Sequence, residues 1–422
     1  MVIIYDFITL IFTLIFLPIY LFKGKFHRGF LARLAILPKN LLLDRPIWIH
    51  AVSLGEAISI RGLVEGLRKA YPSKKFVIST ITPTGNKIAQ GLAKEADFVT
   101  YLPLDFSFIV RHVIGRIKPG LFIIAETEIW PNLIAYLYRK KIPIVTVNAR
   151  LSDASFKGYS SIRPLIKPIL NKINLFCSQT ELDAARLKQL GVGASKIKIT
   201  GNMKFDLKDS SALKKDYIDY RAKLKLDPGD RLFIAGSTHP GEEEIILAAY
   251  ASLLNKFPNL KLLIAPRHPE RSKDVLRLIS DSGFSGLEVS RLNLGAAAPK
   301  KNPVFVLDTV GELVNFYAAA DIVFVGGSLI KKGGHNILEP ADQGAPIIFG
   351  PYMFNFRDIS GMFLKNNAAL MVRTQADLVS AAEKILGDAT KAAQLVNNAR
   401  EVIALNQGAT KRNIEEIGLI YN

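Results

Sequence analysis

Asp321-Ile322-Val323-Phe324-Val325 runs into Gly326-Gly327-Ser328-Leu329, and Gly333-Gly334-His335-Asn336-Ile337-Leu338-Glu339-Pro340 follows a few residues on. The first five residues read as a buried strand. The last segment ends on a Glu-Pro step ahead of Ala341-Asp342-Gln343-Gly344, small residues that open a helix. A Gly-rich turn between strand and helix bares backbone N–H groups at a helix N-terminus, which favours an anion. A Glu a few residues further on is placed to accept hydrogen bonds from sugar hydroxyls. Together these features predict a bound sugar nucleotide, with its phosphate on the helix end and its ribose on Glu339. The expectation that follows is sugar transfer.

Outward from this segment the same strand-then-helix pattern fills the chain. Leu232–Ala235, Leu260–Ala265, Val304–Leu307, Ile322–Val325, Ile347–Phe349 and Leu370–Val372 read as strands. Upstream, so do Ile47–Val52, Lys75–Thr80, Phe98–Leu102, Leu121–Ala125, Ile142–Val147, Leu175–Ser178 and Ile197–Thr200. Helical stretches such as Glu56–Ala70 and Trp130–Lys140 lie between them. Alternation of this kind predicts an α/β protein with parallel sheets covered by helices on both faces. A polar stretch from about Lys204 to Gly229 separates two Rossmann-like halves of roughly 180 residues each. Ligands of such sheets bind beyond the carboxyl ends of the strands. Every motif considered below follows a strand.

The chain has 422 residues, long enough for two domains with proper cores. Its net charge of +18 implies an anionic partner: nucleic acid, anionic lipid or a phosphorylated substrate. The basic residues are scattered, and no zinc-finger spacing or RNA-binding aromatic motif occurs, so no nucleic acid is expected. One cysteine, Cys177, excludes an internal disulfide and fits a reducing compartment. Val2–Phe22 is apolar but for Asp6, and its length suits a bilayer crossing. Lys23, Lys25, His27, Arg28, Arg33 and Lys39 follow. The positive-inside rule then leaves the bulk of the chain in the cytoplasm. A single N-terminal anchor is expected, with a half-inserted helix as the close variant.

Seven further motifs carry possible chemistry. In Ser53-Leu54-Gly55-Glu56, Ser53 caps a helix, Gly55 permits a tight turn and Glu56 opens the helix. Glu56 serves either the cap or as a base toward an acceptor hydroxyl. His50, within the preceding strand, reads as a core histidine. Thr82-Pro83-Thr84-Gly85 offers hydroxyls and N–H groups before a helix. Glu126-Thr127-Glu128 places two carboxylates at i and i+2, on one side if the strand continues. Lys204 in Gly201-Asn202-Met203-Lys204-Phe205-Asp206 is either a surface lysine or a neutraliser of a leaving phosphate. Arg267 in Ala265-Pro266-Arg267-His268 suits a phosphate, because its fork pairs two oxygens. Asp308-Thr309-Val310-Gly311-Glu312-Leu313 is another strand-to-helix turn, and in Gly236-Ser237-Thr238-His239 the three polar side chains are within reach of a ligand. No D-x-D pair and no His or Cys cluster with ligand spacing occurs. No catalytic metal and no cofactor are therefore expected.

Taken in order, W-I-H-A-V-S-L-G-E, T-P-T-G, E-T-E-I-W-P-N, G-N-M-K-F-D, A-P-R-H-P-E-R, G-E-L and G-G-H-N-I-L-E-P closely resemble the bacterial 3-deoxy-D-manno-octulosonic acid (Kdo) transferases. The resemblance runs from about residue 2 to 415. It implies a GT-B fold: two Rossmann-like domains with an interdomain cleft, plus an N-terminal membrane-anchor helix. It implies a membrane anchor at 1–22, an acceptor-binding domain at 23–205, a linker at 206–228 and a nucleotide-sugar-binding domain at 229–422. The last helix would return to the N-terminal domain. It also implies transfer of Kdo from CMP-Kdo to a tetraacylated lipid A precursor at the inner leaflet of the bacterial inner membrane, amid anionic lipid.

By the same resemblance, Glu56 is the general base. Glu126 and Lys204 stabilise the transition state, with Glu128 a second candidate for the role of Glu126. CMP is held by Pro266 and Arg267, by Gly311, Glu312 and Leu313, and by Asn336, Ile337, Leu338 and Glu339. Ile337 stands where many relatives carry Pro, which adds an N–H. Ser53, Gly55, Thr84, Gly85, His268, Gly334 and His335 are secondary candidates. Two alternatives remain. One is a GT-B enzyme using a UDP-sugar, such as a lipid-linked N-acetylglucosaminyltransferase or an epimerase. The other is a non-catalytic module that binds acidic glycolipid.

Overall fold

In the computed structural model the described residues are 5–7, 9–11, 13–15, 32–38, 41–206, 219–293 and 303–421. The chain divides into two compact units, Met1–Asp206 with Asn406–Asn422, and Leu207–Leu405.

The first unit is built on seven strands: β1 (Ile47–His50), β2 (Phe76–Thr80), β3 (Phe98–Tyr101), β4 (Leu121–Ala125), β5 (Ile144–Ala149), β6 (Leu175–Ser178) and β7 (Ile197–Ile199). All pairings are parallel, in the order β3-β2-β1-β4-β5-β6-β7. Strands β1, β2, β4, β5 and β6 are buried along their whole length. That is why they read as unbroken apolar runs rather than alternating ones. One face of the sheet packs Trp48, Phe122 and Phe176 against helix Ser107–Ile117. The other packs Ile49, Ile78 and Ile123 against Leu63 and Leu67.

The last helix, Ala409–Tyr421, belongs to this unit and buries Ile417 in its core. Asn413 Nδ2 donates to Thr200 Oγ1 at 3.0 Å, and the Gly408 N–H donates to Asp206 Oδ1 at 2.6 Å. Gly66 makes room for this helix: a Cβ there would lie 2.2 Å from Ile414 Cδ1.

The second unit also carries seven parallel strands: β8 (Arg231–Thr238), β9 (Leu260–Pro266), β10 (Ser285–Glu288), β11 (Pro303–Val306), β12 (Ile322–Val325), β13 (Ile347–Phe349) and β14 (Leu370–Met371). Their order is β10-β11-β9-β8-β12-β13-β14. Phe233, Ile264, Phe324 and Ile348 form its core with helices Glu243–Leu254 and Gln375–Gly387.

Each sheet has one point where the winding reverses. In the first unit β1 lies between β2 and β4; in the second β8 lies between β9 and β12. The connections diverge there and leave a crevice beyond the carboxyl ends, where an open α/β sheet takes its ligand.

Two local expectations change. The helix read over Glu56–Ala70 is two helices, Leu54–Ser59 and Arg61–Ala70. Ile60 interrupts it at ψ −2°, holding its side chain fully buried. Strand β10 has no counterpart in the sequence reading, because Ser-Gly-Leu-Glu at a sheet edge carries only one buried apolar side chain. Most of the expected anchor, and 207–218 of the expected linker, lie outside the described residues. Residues 5–7, 9–11 and 13–15 are helical, and no described helix is long and apolar enough to cross a membrane.

Candidate active site

At the first reversal, the chain leaving β1 turns into helix Leu54–Ser59. Ser53 caps this helix by accepting from the Glu56 N–H at 3.4 Å. Glu56 folds back over the cap. The Val52 N–H donates to its Oε2 at 2.7 Å and the Ser53 hydroxyl to its Oε1 at 2.8 Å. Burial, and next the negative charge of Glu126, push the Glu56 carboxyl up to about 7. A Cβ on Gly55, the residue before Glu56, would meet nothing within 4 Å, so there is open space at Gly55.

Gly85 has a packing role. Thr82 caps helix Pro83–Leu92 by accepting from the Gly85 N–H at 3.1 Å. A Cβ on Gly85 would lie 3.2 Å from the Ser53 carbonyl carbon. The residue lets this helix press on the Ser53 turn, while Thr84 is exposed.

Beyond β4, Glu126 adopts φ +59°, so the strand ends there and the i, i+2 alignment of Glu126 with Glu128 does not apply. A non-glycine residue held in the left-handed region costs about 1 kcal/mol or more and needs its surroundings to hold it. Lys204 Nζ donates to Glu126 Oε1 at 3.0 Å, and both side chains are half-buried. Asn148, also left-handed at φ +53°, brings the lysine there: its Oδ1 accepts from the Met203 N–H at 2.9 Å. Burial, and then Glu126, raise the Glu128 carboxyl. Thr127 Oγ1 accepts from the Arg150 N–H at 3.1 Å, tying this turn to the end of β5. His50 is fully buried, with Nδ1 3.0 Å from Ser79 Oγ, and burial lowers its pKa to about 3. It is a neutral core residue.

At the second reversal the Gly-rich turn after β12 already holds an anion, and the anion is the chain's own. Glu242 is fully buried. Its carboxylate accepts from the N–H groups of Gly327 (2.7 Å), Ser328 (3.0 Å) and Leu329 (3.0 Å), and from His239 at 3.1 Å. Glu242 is the first of three consecutive acids, Glu242 to Glu244. Only its burial sets it apart from Glu244, which is exposed.

His239 and His335 lie beside this nest. His239 and His335 stack at 5.2 Å with Nε2 atoms 2.9 Å apart, and the His268 ring lies 6.2 Å from His239. Burial, then Arg267, lowers His335 to about 3, so the pair is neutral and shares one N–H between its Nε2 atoms. Gly334 is left-handed at φ +70° and packs on Met353. Pro266 closes β9, and the exposed Arg267 follows, its N–H on Thr238 O at 2.9 Å. Asn336 Oδ1 accepts from the Leu338 N–H at 3.1 Å and its Nδ2 donates to Glu339 Oε1 at 3.0 Å. Burial raises the Glu339 carboxyl, opposed by Asn336 and Arg267. Ile337 and Leu338 bury their side chains fully, so only their backbone is available to a ligand. Gly311, Glu312 and Leu313 follow β11, on the outer side of β9. Glu312 is taken by Lys223 and by Thr309 Oγ1.

Residues 28–207 match the family described as 3-deoxy-D-manno-octulosonic-acid transferase (kdotransferase). The 3-deoxy-D-manno-octulosonic acid transferase of Haemophilus influenzae is 39% identical over 371 residues, 87% of this chain and 86% of that one. Its counterpart from Chlamydia trachomatis serovar D is 31% identical over 361 residues, covering 84% and 81%. Among solved structures, the UDP-GlcNAc 2-epimerase of Neisseria meningitidis superposes with a TM-score of 0.61 over 89% of this chain and all of its own, at 14% identity. That likeness shows the fold alone, a GT-B-like pair of Rossmann-like sheets. The long matches to the transferases show more: this chain is an enzyme and belongs to the 3-deoxy-D-manno-octulosonic acid transferase family.

Proposed function

We propose that the enzyme moves Kdo from CMP-Kdo to a hydroxyl of a lipid A precursor, lipid IVA, in lipopolysaccharide core synthesis, releasing CMP. Glu56 is the general base. The observation that carries this reading is the Glu56 carboxyl. It sits at the first reversal point, is pushed up to about 7 by burial and by Glu126, and follows Gly55, where there is open space. A base with that pKa is half-deprotonated near neutrality and still strong enough to take a hydroxyl proton. Its hydrogen bonds from Val52 and Ser53 fix the carboxylate in place.

The acceptor oxygen attacks the anomeric carbon as Glu56 takes its proton, and CMP leaves as a phosphate monoester. Lys204, held by Glu126, supplies positive charge in the first unit, and Arg267 supplies it in the second. Glu339, oriented by Asn336, receives the ribose hydroxyls. The reaction is proposed to need no metal. A net charge of +18 suits a phosphorylated lipid in an anionic membrane, and the inner membrane, cytoplasmic side, is the proposed location.

A UDP-sugar enzyme of the same fold is the competing reading. Purified enzyme given each nucleotide sugar with lipid acceptor separates the two. CMP release coupled to a Kdo-bearing lipid supports the proposal, and UDP release with no reaction of CMP-Kdo sinks it.

A further inference from the structure

The N–H groups of the Gly327 turn belong to the Gly-rich segment expected to hold the donor phosphate, and the Glu242 carboxylate takes them. A phosphate at this reversal point therefore needs other donors. Three of the chain's six histidines supply candidates, one from each of three neighbouring strand ends. His268 follows β9, His239 follows β8, and His335 lies in the connection after β12. A Cβ on Gly327 would lie 3.1 Å from His335 Nε2 and 3.5 Å from His239 Cδ2, so the missing side chain brings both rings against the turn. Both rings are half-buried, while Arg267 and His268 are exposed.

The geometry of the pair limits its hydrogens. The His239 and His335 rings are within 9° of parallel, with Nε2 atoms 2.9 Å apart. Burial, then Lys332, His268 and Arg267, lower His239 against the opposing pull of Glu243. Burial, then Arg267, His239 and His268, lower His335. Two neutral imidazoles each carry one N–H and one bare nitrogen. One Nε2 therefore donates and the other accepts, and the accepting ring must carry its own hydrogen on Nδ1. The pair always has one Nδ1–H to offer. An anion beside His335 selects the form with that hydrogen on His335 and the shared one on His239. His335 is the ring placed for this. It adjoins Asn336, which orients Glu339 for the ribose, and Arg267 is the first charge that acts on it. The phosphate of a nucleotide is one carbon away from its ribose ring.

We propose that the His335 Nδ1–H donates to the leaving phosphate of the nucleotide sugar, and that His239 is the positioning residue that fixes this tautomer. The proposal rests on the CMP-Kdo reading of the second unit. When the bond from the anomeric carbon to the phosphate oxygen breaks, its electron pair stays on the phosphate, which passes from one negative charge to two. A hydrogen bond to that phosphate strengthens as the charge grows, and Arg267 supplies the counter-charge. The acceptor proton goes to Glu56, and no proton leaves the histidine pair.

Two replacements of His335 in the full chain separate the N–H from the ring. His335→Phe keeps a ring and removes the N–H; His335→Asn keeps an N–H at the place of Nδ1 and removes the ring. By calorimetry with CMP, His335→Phe is expected to bind about tenfold more weakly, with kcat down about 100-fold. His335→Asn should stay within about threefold of native in both. His239→Phe should lower kcat about tenfold, and the double variant His239→Phe with His335→Phe should be no worse than His335→Phe alone. Losses in His335→Asn as large as in His335→Phe, or native behaviour of His335→Phe, make the pair a packing element and overturn the proposal. Additive losses in the double variant overturn the role of His239. Native CMP affinity with weakened CMP-Kdo affinity in His335→Phe puts the pair on the Kdo carboxylate and overturns the phosphate contact. Binding of UDP and not CMP by the native chain overturns the proposed function itself. If a variant fails to fold, judged by its melting temperature, nitrogen-15 histidine spectra of the native chain decide. At least one histidine N–H is expected to move on adding CMP, and unmoved resonances overturn the proposal.

Discussion

Lys204 Nζ lies 3.0 Å from Glu126 Oε1, closing a gap of 78 positions in sequence across the carboxyl edge of the first sheet. Burial, and next Glu126, raise the Glu56 carboxyl, and Glu126 is itself paired with Lys204.

The first prediction is a pair of opposite shifts in a pH profile. A raised carboxyl must lose its proton to act as base. For the native enzyme kcat/KM should fall about tenfold per pH unit below about 7 and level off above it. Glu126→Gln removes a like charge and should move this acidic limb to lower pH. Lys204→Met unmasks Glu126 and should move it to higher pH, with a drop of roughly 100-fold or more in kcat. Shifts in the same direction contradict the coupling.

Gly85→Ala should act on catalysis through Ser53. A methyl group 3.2 Å from the Ser53 carbonyl carbon, and 2.9 Å from Thr82 Oγ1, must push the two turns apart. The expected cost is about 1–3 kcal/mol of stability. Because Ser53 orients Glu56, kcat should fall by about tenfold or more while donor affinity stays unchanged. A change in donor affinity alone would place Gly85 elsewhere in the mechanism.

Glu242 should be worth more to folding than to chemistry. Removing its side chain leaves the N–H groups of Gly327, Ser328, Leu329 and His239 without their acceptor. Glu242→Ala is expected to destabilise the chain by about 3 kcal/mol or more, read by urea denaturation. Glu242→Gln keeps one acceptor oxygen and should fall between the two.

Donor binding should depend on Arg267 and Glu339 and not on Glu56. Arg267→Ala and Glu339→Ala are each expected to weaken CMP-Kdo affinity about tenfold or more by calorimetry. Native affinity in both variants would move the nucleotide to another part of the chain.

Most of the fold was legible because a buried parallel strand is an apolar run bounded by turn residues, the form of β1, β2, β4, β5 and β6. Ser285-Gly286-Leu287-Glu288 lacks it, since an edge strand needs little burial. The candidate site was legible as an ordered series of strand ends. What the sequence hid was the pairing between them. Nothing local marks Glu242 as the occupant of the turn at Gly327, 85 positions away. Nor does anything local give Glu126 a left-handed backbone that turns it toward Lys204 instead of aligning it with Glu128. Such links depend on which strands are neighbours in the sheet, and order in the sheet is not order in the chain.

The central claim is that Glu56 takes the proton from the acceptor during Kdo transfer. The most direct measurement is mass spectrometry of the lipid after incubating the Glu56→Gln enzyme with CMP-Kdo and lipid A precursor, alongside its calorimetric affinity for CMP-Kdo. The account predicts donor affinity within about twofold of native and product formation reduced by roughly 1,000-fold or more. Native levels of Kdo-bearing lipid from this variant would contradict it.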